Sequence, residues 1–302
     1  MARTRKTVSM ISKADEGQSN NWDFPVYQEQ LVTRQGVASG IHAVVRGDTG
    51  AVIGQYKGVK LLPNSELVAA VENKLGNLGL TFKRSCLTTN GGSRFFAEFT
   101  IDNMNIGGES FARKLEVGNS YDGSMKKEKA MFGERASCLN SMIGFAMLCQ
   151  QSKKHSLDID VESWVSDLGE VLENGSVAFA NRINQMREIE LPGDKARNIL
   201  SNLVDLSHGQ GMSERSALLI NHNWANPSAD ELPLGNTLYR LFNAATRYTR
   251  DVAKVGRFEL SHKSNVYIGT AFDLALERGQ MANLLNTPRN PIDFDAVTVS
   301  NN

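Results

Sequence analysis

The pattern of apolar and polar positions divides the 302-residue chain into two unlike halves. Residues 1–25 are polar and rich in Ser, Asn and Lys, so they predict a flexible arm with no core of its own. Val26 to Val45 mixes both residue types around Gly36 and Gly40 and fits neither the helical nor the strand period. From Ala51 to Leu62 a loose alternation predicts a strand. Pro63-Asn64-Ser65-Glu66 then starts a helix, with Asn64 or Ser65 as its cap. Leu67, Val71, Leu75 and Leu78 follow at helical spacing, and Gly76 and Gly79 mark the exit.

Leu80 to Thr89 and Arg94 to Ile101 read as strands, and the Asn90-Gly91-Gly92-Ser93 link between them predicts a hairpin. In the second strand Phe95, Ala97, Phe99 and Ile101 alternate with Arg94, Phe96, Glu98 and Thr100. Phe111 to Val117 and Ala130 to Leu139 add two more strands around Asn119-Ser120-Tyr121-Asp122-Gly123-Ser124. That stretch predicts a tight turn, because Asx side chains satisfy local backbone donors and Gly123 tolerates positive φ. Ser141 to Gln151 turns helical, with Met142, Phe145, Ala146 and Cys149 on one face.

The second half is helical throughout. Val161 to Ile189 predicts one long amphipathic helix, or two broken near Asn174-Gly175, with Pro192 as the stop. Lys195 to Ser207, Asn236 to Val255 and Tyr267 to Leu285 follow, while Asn221-His222-Asn223-Trp224 reads as a packed loop. The fold class is therefore α+β: an antiparallel β-meander with flanking helices, then a mostly helical half. The organisation is an arm at 1–25, an α+β core at 26–160, a helical region at 161–287 and a flexible polar tail at 288–302.

Composition narrows the classes. Hydrophobic content of 41% and charged content of 22% are ordinary for a globular chain. No window approaches the roughly 18 apolar residues of a membrane span, and the basic N-terminus lacks a signal-type apolar run, so no membrane association and a cytoplasmic location are expected. The three cysteines form no Cys-x-x-Cys pair and the five histidines are scattered, so reduced thiols and no bound metal are expected. No Gly-x-x-x-x-Gly-Lys-Ser/Thr loop occurs, and His208-Gly209-Gln210-Gly211 holds only a fragment of a dinucleotide motif. No cofactor is expected.

Charge is balanced overall, but residues 1–150 hold 18 basic and 14 acidic residues, net +4, and the remainder is net −4. Lys57, Lys60, Lys83, Arg84, Arg94, Arg113, Lys114, Lys126, Lys127, Lys129 and Arg135 lie on or beside the predicted sheet, interleaved with Tyr56, Phe82, Phe95, Phe96 and Tyr121. Cations for phosphates and ring faces for bases are what sequence-tolerant single-strand binding needs. A core face backed by a solvated charged face accounts for the same pattern. A second basic cluster, with Arg240 and Arg247 seven residues apart, predicts a phosphate-facing, subunit-facing or solvated helix face. Asp293-Phe294-Asp295 resembles the acidic-aromatic ends by which DNA-processing proteins recruit partners, which makes the tail a candidate protein-binding segment.

Gly54-Gln55-Tyr56-Lys57, Leu62-Pro63-Asn64, the Asn119 to Ser124 turn, Arg135-x-x-Cys138-x-Asn140 and Lys154-His155 follow one another across residues 40–160. Their order and spacing resemble the phage- and plasmid-borne family catalogued as domain of unknown function 932. Tyr121 stands where His is common in that family, so the resemblance implies no catalytic histidine in the turn. It implies a mobile-element protein, and residues 161–302 match none of its motifs. The strand-helix start, antiparallel hairpins and closing helix are more distantly similar to single-strand annealing proteins of the Red-beta, RecT and Erf kind. The expectation that follows is an ATP-independent single-stranded DNA-binding and annealing protein of phage or plasmid recombination or replication, acting as a ring or filament. Lys57, Lys83, Arg84, Arg94, Lys126, Lys127 and Arg135 would hold the phosphates, with Tyr56 or Phe96 stacking on bases. The alternatives are an enzyme with a site around Asp122, Arg135, Cys138 and His155, or a host-interaction protein using its termini.

Overall fold

The computed structural model describes residues 22–56, 61–125, 127–135, 140–142, 151–153, 160–207, 212–254, 267–272 and 275–295. Two antiparallel sheets occupy the N-terminal half. The first has β1 (Val26–Val32), β2 (Ala38–Arg46) and β3 (Val52–Tyr56) in that order. The Val26 to Val45 stretch, which fits no period, is thus β1 and most of β2. The reason is its setting: residues 28–41 have almost no interior, and burial begins only at Ala43, Val44 and Val45. A strand with water on both faces is under no pressure to alternate.

Helix α1 (Asn64–Asn77) leads into the second sheet, with β4 (Lys83–Thr89), β5 (Arg94–Ile106), β6 (Glu109–Ser120), β7 (Lys127–Arg135) and β8 (Asn140–Met142) in that order, and β9 (Gln151–Lys153) also on β7. The β4–β5 link is the predicted reversal, a single 3-10 turn at Asn90–Gly92. Asn90, Gly91 and Gly92 all have positive φ there, which Gly adopts freely and Asn tolerates. Neither Asn64 nor Ser65 caps α1. Asn64 is its first helical residue, and Pro63 precedes it without a side-chain cap bond. Of the helix expected over Ser141 to Gln151, Ser141 and Met142 belong to β8 and Gln151 to β9, while 143–150 lie outside the described residues.

The helical half contains α2 (Val161–Val165), α3 (Leu168–Glu188), α4 (Lys195–Ser207), α5 (Glu214–Ala225), α6 (Leu238–Lys254) and α7 (Met281–Leu285), with residues 267–272 and 275–277 also helical. The break falls at Ser166-Asp167 and not at Asn174-Gly175, because Gly175 is buried inside α3. The segment read as a loop at Asn221 to Trp224 is the last part of α5. Ser213 caps that helix by accepting the Ser216 amide, and Ala217, Ile220 and Trp224 form its buried stripe. Asn221, His222 and Asn223, weak helix formers, hide the stripe in the sequence.

The helices cover one face of the second sheet and share its interior. Phe95, Phe99, Phe111 and Leu115 from the strands lie in one apolar cluster with Leu67 and Val71 of α1, Phe179 and Ile183 of α3, and Phe242 of α6. Phe179 meets Phe111 edge-on at 5.5 Å, and it passes so close to Gly133 that a Cβ there would stand 2.5 Å from its ring. The outermost described residues join the same body. Trp22, placed in the expected arm, stacks on Phe95 with ring centroids 5.7 Å apart. Phe294, placed in the expected flexible tail, is buried in the cluster, and Arg197 grips Asp295 with both guanidinium nitrogens at 2.9 and 3.0 Å.

Candidate functional site

The Asn119 to Ser124 turn is where the two sheets and α1 meet. Asn119 donates from Nδ2 to the Leu62 carbonyl at 3.1 Å and to Asn64 Oδ1 at 3.2 Å. Tyr121 accepts the Asn64 backbone N–H at 3.0 Å, doing from 57 residues away what a local cap would do. The Tyr56 hydroxyl of the first sheet donates to the Ser120 carbonyl at 2.8 Å. Burial of the two phenols raises both pKa values well above the ordinary tyrosine range. Gly54 lies against this turn so tightly that a Cβ would fall 1.8 Å from the Tyr121 carbonyl oxygen.

Asp122 closes the turn. One carboxylate oxygen accepts the Ser124 amide at 2.9 Å, and the other accepts the Ser93 hydroxyl at 2.9 Å and Asn90 Nδ2 at 3.4 Å. Arg94 donates to Ser124 Oγ at 2.8 Å with its Nε 4.0 Å from the carboxylate. Partial burial opposes ionisation, but the Ser124 and Ser93 hydrogen bonds and the Arg94 charge outweigh it and hold the carboxyl below its usual range. The arrangement is that of an ionised turn residue with its lone pairs engaged.

The cations expected on one surface are divided between two. By the pleat and register, Lys83 of β4, Arg94 and Phe96 of β5 and Lys114 of β6 point outward, among Glu98, Glu116, Glu128 and Glu134. Lys114 donates to Glu98 at 2.7 Å and to Glu134 at 2.8 Å, so its charge is neutralised in place. Phe96 is only 8% exposed. Lys127, Lys129 and Arg135 of β7 point the other way, under the helices, and are 4%, 1% and 4% exposed. Lys129 Nζ bonds the Trp164 carbonyl and Asp167, between α2 and α3. Lys83 and Arg84 remain exposed, with Arg84 paired to Glu72 at 2.6 Å and 5.1 Å from the Trp22 ring. Lys57, Lys60 and Lys126 lie outside the described residues.

Arg135 anchors a buried charge cluster that joins sheet to helices. Its Nε bonds Glu109, its Nη1 lies 3.1 Å from Asp230 Oδ2, and its Nη2 donates to the Asp230 carbonyl at 2.9 Å. Glu109 also takes Arg187 of α3 and accepts the Tyr239 hydroxyl of α6 at 3.1 Å. A phosphate could reach Arg135 only by breaking this cluster. Sequence reading misses it because Asp230 and Tyr239 are remote in the chain. Glu109, two residues diagonal from Phe111, the residue opposite Arg135 in the β6–β7 register, is the signal the strand pairing would have offered.

The alternative enzymatic constellation is not assembled by the described residues. Arg135 pairs with Phe111 near the start of β6, and Asp122 follows its end. Nine strand residues at about 3.3 Å each separate the two, roughly 30 Å. Cys138 and His155 lie outside the described residues. Cys86 is half-buried, and burial pushes its thiol up to about 11, the wrong direction for a nucleophile. Among the described residues no helix is long and apolar enough to cross a membrane, and no three His, Cys, Asp or Glu residues gather as metal ligands.

No curated protein and no solved structure matches the chain. A family model matches residues 51–271, taking in β3, α1, the β4–β7 meander with its Asp122 turn, and the helices through α6. The match thus runs far into the helical half, where no motif was legible. With nearly three quarters of its length covered, including both the turn and the buried Arg135 cluster, this chain belongs to the family described as Domain of unknown function (DUF932).

Proposed function

We propose that the protein is an ATP-independent single-stranded DNA-binding and annealing protein that acts as a homo-oligomer, in the recombination or replication of a mobile element. The observation that carries this reading is the β4–β5 hairpin. Lys83 and Arg94, the latter paired with Thr89, stand at its two ends on the outward face, and Arg84 projects from the opposite face of the same edge strand. Six strand residues place these cations along about 20 Å, a span of a few nucleotides. Arg84 lies over the Trp22 ring, which puts an aromatic face beside the cationic end. The interface is narrower than the whole sheet, since Lys127 and Arg135 are committed to the interior.

The oligomeric part of the reading is supported by the β1–β2 hairpin. Tyr27, Val32, Val37 and Ile41 are exposed along it, and a two-stranded ribbon with no interior is marginally stable alone. Annealing requires two strands to be held in alignment, which an array of subunits provides without bond chemistry.

Fluorescence polarisation with labelled oligonucleotides across a salt series tests the proposal. Three phosphate contacts give a log–log slope of about −2 for a single strand, and Lys83→Glu with Arg84→Glu removes about 1.4 of it. Absence of salt-sensitive binding, or a slope unmoved by the double variant, rejects the reading. Light scattering is expected to return several times the mass of one chain.

A further inference from the structure

A cleft of about 460 Å³ opens among the helices of the C-terminal half, lined by Asp194, Arg197 of α4, Asn221 and Trp224 of α5 and Arg240 of α6. Two arginines face it, and they are held differently from the cations of the sheet. The Arg240 guanidinium lies flat over the Trp224 ring, 3.9 Å from its centroid. Its Nε is buried without a hydrogen-bond partner, and no carboxylate lies within ion-pair distance among the described residues. Glu231 is the charge Arg240 feels most, but its Oε2 is engaged by Arg247 at 2.9 Å and by the Ser228 amide at 3.0 Å, and its Oε1 makes no hydrogen bond to Arg240. Arg247, one face-repeat along α6, also donates to the Asn223 and Asn226 carbonyls at 2.6 and 3.0 Å. Arg247 therefore fastens the segment after α5, while Arg240 is left charged, pre-stacked and unpaired.

Arg197 supplies the second cation. Its bidentate partner is Asp295, whose side chain is 77% exposed. An ion pair that open to water contributes little and exchanges readily with another oxyanion. Planar guanidinium groups recognise phosphate through paired donors, and desolvation strengthens that attraction. Asn221, nearly buried and without a side-chain hydrogen bond, and the exposed Asp194 carboxylate add an amide and an acceptor to the same walls. An acceptor beside two cations suits a ligand that presents hydroxyl groups next to its anionic end.

We propose that this cleft binds the phosphate of a small, hydroxyl-bearing phosphomonoester between Arg240 and Arg197, with Asp295 as the group it displaces. The site is independent of the β4–β5 surface, and its ligand is a free small molecule and not a polynucleotide.

Isothermal titration of the full chain with ribose 5-phosphate, and with ribose as control, tests the proposal. Binding of the phosphate ester, none of ribose, and at least about tenfold weaker binding by Arg240→Gln are expected. Asp295→Asn frees Arg197 and is expected to tighten binding several-fold. No heat at about 10 mM ester, or equal affinity in Arg240→Gln, overturns the proposal. Should Arg240→Gln melt early, Arg197→Gln replaces it, and unchanged affinity in that exposed variant is equally fatal. An oligonucleotide without terminal phosphate is added as competitor. Displacement of the ester by it would make the cleft a backbone-diester site and overturn the monoester assignment, whereas failure of the salt-series experiment above leaves this result untouched.

Discussion

The Tyr121 hydroxyl lies 3.0 Å from the backbone nitrogen of Asn64 and accepts its hydrogen, so a turn in the second sheet caps the first helix. Removing that oxygen leaves a buried donor without a partner. Tyr121→Phe is expected to lower stability by about 1–3 kcal/mol in urea unfolding, with the ring packing preserved. An unchanged midpoint would show that the capping bond contributes nothing.

Gly54→Ala is expected to be more severe. The added methyl meets the Tyr121 carbonyl oxygen, its carbon and the Asp122 nitrogen, all backbone atoms that cannot swing aside. A loss of about 3 kcal/mol or more is expected, read as a shift of the denaturation midpoint or as a drop in soluble yield.

Buried and exposed cations separate stability from binding. Arg135→Ala takes the shared cation from both Glu109 and Asp230 and is expected to cost about 3 kcal/mol, and Lys129→Ala, which breaks a single ion pair, somewhat less. Neither change is expected to alter oligonucleotide affinity of the folded fraction. Lys83→Glu with Arg84→Glu is expected to do the reverse, lowering affinity while costing only about 1 kcal/mol through loss of the exposed Arg84–Glu72 pair. Loss of affinity in Lys129→Ala without loss of stability would put the interface on the wrong face.

Asp122 gives a pH dependence with a definite sign. Its folded-state pKa is lowered, so its contribution is fully present above the ordinary aspartate value, about 3.9, and is lost as pH falls through the lower folded value. Asp122→Asn is therefore expected to destabilise the protein at pH 6 and to approach the parent progressively as pH falls below the ordinary aspartate value. Thermal melts across that range check it, and a gap that widens on acidification would reverse the assignment.

Much of the scaffold is readable locally. The Asn90 to Ser93 reversal, α1 and the alternation of Phe95, Ala97, Phe99 and Ile101 all declare themselves through short-range rules. The placement of charge does not. On β7, Lys127, Lys129 and Arg135 alternate with Glu128, Ala130, Phe132 and Glu134, and residue type alone puts the cations in water. Lys129 and Arg135 are inside because Asp167 and Asp230, contributed by later segments, meet them there. The same remoteness hides the Arg240 cleft: Arg240 and Arg247 look equivalent on a helical wheel, and Glu231 with the Asn223 and Asn226 carbonyls distinguishes the spent one from the one left available.

The Arg135–Asp230 pair has a bearing on biosynthesis. Asp230 leaves the ribosome 95 residues after its partner, a lag of about 5–20 s at ordinary elongation rates. Early in that interval Lys129 and Phe111 still await Asp167 and Phe179, and throughout it Arg135 has Glu109 alone as its acidic partner. The sheet's interior is thus completed only once the helical half has left the ribosome, which ties the maturation of the first half to the synthesis of the second.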